Sequence, residues 1–234
     1  MDERSTGLIL RVYPLTETSL IVHWLTPDAG RIATVAKGAR RPKSPFLGKL
    51  DLYFLADFAF YRSRRSELHT LKEVRLLETH RALREDLACL QQAAYCACLI
   101  EQTTEKETPL PGPYELLLGL LVQLTRHPPQ ALTIFAFEMK LLQLLGLRPD
   151  FRKATLSDGG RQILEKLLVA EWPLLARLKP SEAQNTELGQ YLHDFLIFNL
   201  GKVHRSREGA LSFVHSKTQS SNRDGRATHE NRTA

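Results

Sequence analysis

Gly30-Arg31-Ile32-Ala33-Thr34-Val35-Ala36-Lys37-Gly38-Ala39-Arg40-Arg41-Pro42-Lys43-Ser44-Pro45 changes character halfway along. The first half, Arg31 to Lys37, reads as a strand leaving the turn Pro27-Asp28-Ala29-Gly30, where proline presets φ and glycine accepts a positive φ. The second half is a loop bent by Gly38, Pro42 and Pro45, so its cations sit on a shaped loop and not along a helix. From Arg31 to Lys49 there are six Lys or Arg and no Asp or Glu. A run of one sign on a bent loop between strands suits a phosphate backbone, and neutralising each phosphate makes binding salt-dependent. Arg31, Lys37, Arg40, Arg41, Lys43 and Lys49 are the expected contacts.

Outward from this stretch, period-two patterns recur. On the amino-terminal side, Leu8, Leu10 and Val12 alternate with Ile9, Arg11 and Tyr13, and Leu20, Val22 and Trp24 alternate with Ile21, His23 and Leu25. On the other side, Leu50, Leu52, Phe54, Ala56, Phe58 and Phe60 occupy every second position, which predicts one long strand. After the polar turn Arg62-Ser63-Arg64-Arg65-Ser66, Leu68 to Leu77 reads as a fifth strand. Five short strands in about eighty residues predict a small barrel of the OB-fold kind, with an open antiparallel meander or an SH3-like barrel as alternatives.

The remainder reads as helices. Leu83, Leu87, Leu90, Ala94 and Ala97 keep helical spacing, as do Tyr114, Leu117, Leu118, Leu121 and Leu124. Leu132, Phe135, Met139, Leu142 and Leu145 share a face that ends at Gly146 and Pro149. Ser157-Asp158-Gly159-Gly160 breaks the pattern before a short helix, roughly Arg161 to Ala170, and a last helix through Leu188, Leu192, Phe195, Leu196 and Leu200 stops at Gly201. The fold class is therefore α+β: a barrel over residues 1–80, helices over 81–215, and a polar tail, 216–234, expected to be disordered.

The 234 residues carry a formal charge of +6, which favours an anionic partner without naming it. Met1 to Ser5 is no signal peptide and no apolar run is long enough for a bilayer, so a cytoplasmic protein with no membrane partner is expected. Cys89, Cys96 and Cys98 form no Cys-x-x-Cys and fit small buried residues. There is no P-loop, no Gly-x-Gly-x-x-Gly, no His-Glu-x-x-His and no Gly-x-Ser-x-Gly, and no tight carboxylate cluster of the kind a metal-dependent nuclease needs. No catalytic residue, metal or cofactor is assigned. Tyr13 and Tyr61, on nearby strands, are candidate base-stacking surfaces beside the loop. Lys202, His204, Arg205 and Arg207 form a second basic cluster after the last helix, read either as further phosphate contacts or as partners of the helix dipole.

Thr6-Gly7-Leu8-Ile9-Leu10, Thr16-Glu17-Thr18-Ser19-Leu20, Leu25-Thr26, Gly30-Arg31 and Ala36-Lys37-Gly38-Ala39-Arg40-Arg41 resemble the amino-terminal domain of the bacterial recombination mediator RecO. Phe137 to Asp150 resembles that family's helical core, and Leu200-Gly201-Lys202 with Ser206-Arg207-Glu208 resembles its carboxy-terminal signature. The resemblance implies an OB-fold followed by helices, binding of single- and double-stranded DNA, and annealing of complementary strands. It also implies partnership with RecR and single-strand-binding protein, so that RecA loads indirectly, in a bacterial, nucleoid-associated setting. The acidic, apolar tail of single-strand-binding protein would dock on the helical part, with Lys140 and Arg148 as rim cations. Many relatives carry a four-cysteine zinc module, whereas Phe151 to Glu187 here holds no cysteine, so no zinc is expected. A protein-interaction scaffold with an incidental basic loop is the rival reading.

Overall fold

The computed structural model describes residues 2–109, 111–151 and 156–212. The expected disordered tail, 216–234, lies outside them. Strands β1 (Asp2–Pro14), β2 (Leu20–Thr26), β3 (Gly30–Ala36), β4 (Leu55–Tyr61) and β5 (Leu68–Glu78) close a barrel in the order β1-β2-β3-β5-β4. All pairs are antiparallel except β3 with β5, which run parallel. A five-stranded closed barrel with this order is the OB-fold. One long strand serves two neighbours: Asp2 to Leu8 pair with β4, and Leu8 to Pro14 pair with β2. An irregularity between Ile9 and Arg11 supplies the bend.

Alternation puts Val22, Trp24, Ile32, Phe58 and Phe60 inside the barrel. Trp24 stacks on Phe58 at 4.0 Å between ring centroids, and Phe58 on Phe60 at 5.6 Å. The Trp24 indole N–H donates to the Thr34 hydroxyl at 2.9 Å, so the ring is buried without an orphaned donor. Each such side chain contributes about 1.5–3 kcal/mol through burial.

The strand expected from Leu50 starts only at Leu55. Residues before it form tight turns, with Leu47 N–H donating to Ser44 O, Lys49 N–H to Phe46 O, and Phe54 N–H to Asp51 O. A strand would put either Tyr53 or Phe54 outside. Tyr53 instead takes φ 62, and both rings are buried. The ladder onto β1 survives through Tyr53 N–H to Ile9 O (2.8 Å) and Ile9 N–H to Phe54 O (3.0 Å).

The helices are α1 (Leu87–Thr103), α2 (Pro111–Arg126), α3 (Ala131–Leu144), α4 (Asp158–Val169), α5 (Trp172–Leu175) and α6 (Glu182–Leu200), with a 3-10 turn at Arg81–Arg84. Two compact units result. One is Met1–Ala82 with Leu99–Thr125; the other is Leu83–Cys98 with the chain from Arg126 onward. Thus α2 counts with the barrel and not with the later helices.

In the barrel unit, a strap over residues 104–108 runs beside the start of β3. Glu107 N–H donates to Arg31 O at 3.0 Å, and the Arg31 guanidinium donates to Thr104 O at 2.5 Å. Arg62 fastens it by bridging Glu3 (2.7 Å) and Glu107 (2.9 Å), and Lys106 pairs with Glu67. Gly30 lies under this strap at φ +66, where a Cβ would stand 1.9 Å from Thr108 O. Gly30→Ala should therefore cost roughly 2–4 kcal/mol of stability, read by urea denaturation. A variant as stable as wild type would show that the strap is not seated there.

His69 is 1% exposed, stacked on Phe60 and flanked by Arg62. Burial pushes its pKa below the ordinary 6.5, and burial does the same to His23. A depressed folded-state pKa means that the unfolded chain takes up protons first as pH falls. Stability should be full above about pH 6.5 and decline below it until the folded-state histidines also titrate. Denaturation midpoints at about pH 7.5 and 5.5 check this, and equal midpoints would contradict it.

In the second unit, α3 ends as expected. Gly146 has φ +75, Leu147 N–H donates to Leu142 O and Gly146 N–H to Gln143 O, a Schellman closure. The expected break at Ser157-Asp158-Gly159-Gly160 is instead the start of α4. Ser157 caps it, accepting from Gly160 N–H. The two glycines are tolerated there because α6 side chains crowd the turn: a Cβ on Gly160 would lie 2.5 Å from a Glu187 carboxylate oxygen. Glu187 accepts both the Ser157 amide (2.6 Å) and its hydroxyl (2.7 Å). A capping box at Ser181 and Gln184 starts α6, and Gly201 at φ 74 ends it. Residues 206–212 are again helical.

Candidate nucleic-acid interface

The β3–β4 loop is a fixed platform. Ala39 and Phe46, each 6% exposed, plug it into the barrel core. Arg40 N–H donates to Thr18 O at 3.0 Å and its guanidinium to Thr16 O at 3.3 Å, tying the loop to the β1–β2 turn. Gly38 makes the exit from β3 at φ +68. On this platform Lys37, Arg40, Arg41 and Lys43 are exposed, and Lys49 is half-buried. Among the described residues, no carboxylate forms an ion pair with any of the five. Uncompensated cations on an ordered backbone can exchange counterions for phosphates with little ordering cost. Tyr13 is 40% exposed at the β1 end leading into the β1–β2 turn, edge-on to His23.

Below the loop, a groove of about 770 Å³ runs between Pro45, Phe46 and Lys49 and the strand residues Arg4, Ala59, Lys72 and Arg75. Arg75 is spent there on Asp57, whose carboxyl the Thr6 hydroxyl, with Arg75 beside it, holds below its usual range.

Other expected contacts are placed elsewhere. Arg31 opens β3 while the loop leaves its far end, roughly 17 Å along the strand. Its half-buried guanidinium belongs to the strap, so it is not part of the cation cluster. Tyr61, 47% exposed, closes β4, roughly 20 Å from where the loop enters that strand, yet strand pairing through Thr70 sets it two strands from Val35, just before the loop leaves β3. Ala59, two residues back on the same outward face, lines the groove with Pro45, Phe46 and Lys49.

Arg207 is 6% exposed and gives two hydrogen bonds to Glu138, at 2.7 and 3.0 Å, and one to Gly189 O. It is an internal ion pair of the second unit, withdrawn from any phosphate. Lys202 and Arg205 are exposed in the same unit. Lys140 donates to Leu168 O at the end of α4, and Arg148 is exposed past α3.

Sequence reading passed over Arg64 and Arg65. Both are exposed in the β4–β5 turn at the Tyr61 end of the barrel, and three arginines in four residues were the available signal.

Among the described residues, no group of three or more His, Cys, Asp or Glu is placed to hold a metal. Cys89 and Cys96 are buried, and burial pushes the Cys96 thiol well up. Where the resemblance puts a zinc module, Leu156, Leu164, Leu167, Leu168 and Leu175 pack on Leu188 and Leu192 of α6, and the Glu187 cap adds polar closure. These residues do not fit zinc. A chelator should leave the melting temperature unchanged, whereas metal-held folds lose stability on chelation; a clear drop on chelation would overturn the assignment.

Fold and site together define an OB-fold protein with an acid-free cationic loop at one end of the barrel. The family description "Recombination protein O N terminal" matches residues 1–80, and "Recombination protein O C terminal" matches residues 84–156. The DNA repair protein RecO of Rhodopirellula baltica is 32% identical over 181 residues, covering 76% of this chain and 67% of that protein. RecO of Bacillus subtilis is 35% identical over 150 residues (64% of this chain, 58% of that protein), and RecO of Symbiobacterium thermophilum 36% over 147 residues (62% and 56%). This chain belongs to the RecO family. It spans less than two thirds of the length of the Bacillus and Symbiobacterium relatives. No helix among the described residues is long and apolar enough to cross a membrane.

Proposed function

We propose that this protein is a non-catalytic DNA repair and recombination mediator. It binds single- and double-stranded DNA through the β3–β4 loop and anneals complementary strands. With RecR, it helps load RecA on DNA coated with single-strand-binding protein. The observation that carries this reading is the set Lys37, Arg40, Arg41, Lys43 and Lys49, held on an ordered loop with no paired carboxylate among the described residues. Relatives named DNA repair protein RecO support the repair context. The acidic tail of single-strand-binding protein docks on the second unit, on the shelf of Val169, Trp172 and Pro173, with Lys140 at its edge and Arg148 as a further cation. Val169 is 80% exposed there, which leaves apolar surface for such a tail.

The test is annealing of complementary oligonucleotides coated with single-strand-binding protein, run beside titration of a labelled single strand at two salt concentrations. The mediator accelerates annealing and binds less tightly at higher salt. A scaffold with an incidental basic loop binds no DNA at either concentration, and that result would end the proposal.

A further inference from the structure

The groove beneath the β3–β4 loop gathers cations from three separate parts of the barrel. Lys49 comes from the loop, Arg4 from β1 and Lys72 from β5. Arg4 and Lys72 are exposed, and among the described residues no carboxylate forms an ion pair with any of the three. Three acidic groups share the lining. Asp57 is taken by Arg75 and the Thr6 hydroxyl, and Asp28 accepts from the Ser5 hydroxyl at 2.6 Å. Only Glu73 is left to oppose the cations.

A bulge in the β4–β5 ladder sets Lys72 in place. Ala59 pairs with Glu73 and Phe60 with Leu71, so Lys72 is the extra residue. Leu71 and Val74 are therefore both buried, and Lys72 and Glu73 between them are both exposed. Strict alternation would have turned one of the two polar residues inward. Across the outward face, pairing aligns Arg4, Ala59 and Glu73 on three strands, and the small Ala59 leaves depth between its neighbours. Tyr61 is the next outward residue on β4. Its cross-strand neighbours Asp2 and Thr70 are short and leave the ring 47% exposed.

This surface suits one DNA strand better than two. A duplex carries about one charge per 1.7 Å of axis, against about one per 3.4 Å for each strand, and three free cations facing a free carboxylate match the sparser charge. A duplex also keeps its bases paired inside, whereas a single strand offers base faces to an exposed ring. The volume of about 770 Å³ lies in the range of sites that enclose small molecules, ~300–1,000 Å³, so it admits a short run of nucleotides and not a double helix.

We infer that this groove is the single-strand-selective part of the interface: Arg4, Lys49 and Lys72 hold the phosphates of one strand and Tyr61 stacks a base at its end, while the loop above accepts single- and double-stranded DNA alike. This rests on the DNA-binding reading above, and Lys49 belongs to both surfaces. OB-folds usually carry oligonucleotides on the face of strands 2 and 3, and the groove instead crosses β1, β4 and β5.

The test measures affinity for a labelled homopolymer single strand and for a blunt duplex of the same length, each at several salt concentrations. The double variant Arg4→Ala, Lys72→Ala loses roughly tenfold on the single strand, its salt slope there flattens by about 1.4, and its duplex affinity stays at the wild-type value. Tyr61→Ala also loses roughly tenfold on the single strand alone but keeps the salt slope, because every cation remains, and Tyr61→Phe restores the affinity. Replacing Arg40 and Arg41 weakens both probes. Wild-type single-strand affinity in the Arg4, Lys72 variant, or an equal loss on both probes, overturns the groove assignment alone. Absence of wild-type binding to either probe overturns it together with the DNA-binding reading.

Discussion

Replacing Arg40 and Arg41 together with alanine is expected to weaken binding to single-stranded DNA by roughly 10- to 100-fold at low salt, whatever the base sequence. The plot of log affinity against log salt should flatten by about 1.4, since each phosphate contact on a single strand contributes about 0.7. The double variant is a fair probe because the loop does not depend on these side chains. Arg40 anchors it chiefly through its amide to Thr18, which alanine keeps, and the guanidinium adds only one 3.3 Å bond to Thr16 O. Arg41 likewise contributes its amide, to Gly38 O, while its side chain is exposed. The buried plugs Ala39 and Phe46 are untouched. Glutamates at both positions should go further and abolish measurable binding, since they repel phosphate. A double alanine variant with wild-type affinity and slope would remove the β3–β4 loop from the interface.

Arg207→Ala is expected to destabilise the second unit by about 3–5 kcal/mol, a large share of the 5–15 kcal/mol typical of a whole domain. Glu138 is fully buried on α3 and accepts from Arg207 twice and from the Tyr95 hydroxyl at 2.5 Å. Removing the guanidinium strands a carboxylate in the interior, where neither water nor another cation reaches it. Arg207 also holds Gly189 O of α6, so one side chain joins helical residues 206–212 to α3 and α6. Pairing the change with Glu138→Met should restore most of the loss, because a buried pair replaced on both sides leaves no orphaned charge. Urea denaturation reads both outcomes. At low temperature, the surviving folded Arg207→Ala protein should keep the wild-type salt slope. A reduced slope in a fully folded variant would return Arg207 to the list of phosphate contacts.

The two variants separate cations that look alike in sequence. Arg41 lies beside Arg40, and Arg207 lies two positions from Arg205 and three from His204, so each sits in a basic run. The difference is a partner 69 residues distant, Glu138, which no local pattern reveals. The same holds for Arg31, which starts the one-sign run yet turns to a strap from residues 104–108. Burial explains why Tyr53 and Phe54 defeated a correct period-two count: a left-handed turn hides both neighbours, which alternation cannot express. The glycines at the start of α4 misled for a related reason. They are small to admit Glu187 and Gln184 from α6, not to break a helix.

What the sequence determined by itself is what rests on neighbours along the chain. That includes the strand period that built the barrel, the turn at Gly30, the ends of α3 and α6, and the acid-free run from Lys37 to Lys49. Tertiary structure alone decided which cations stay in water. Burial and pairing depend on groups far apart in sequence, and a charge is available to a polyanion only where the fold has brought no carboxylate to meet it.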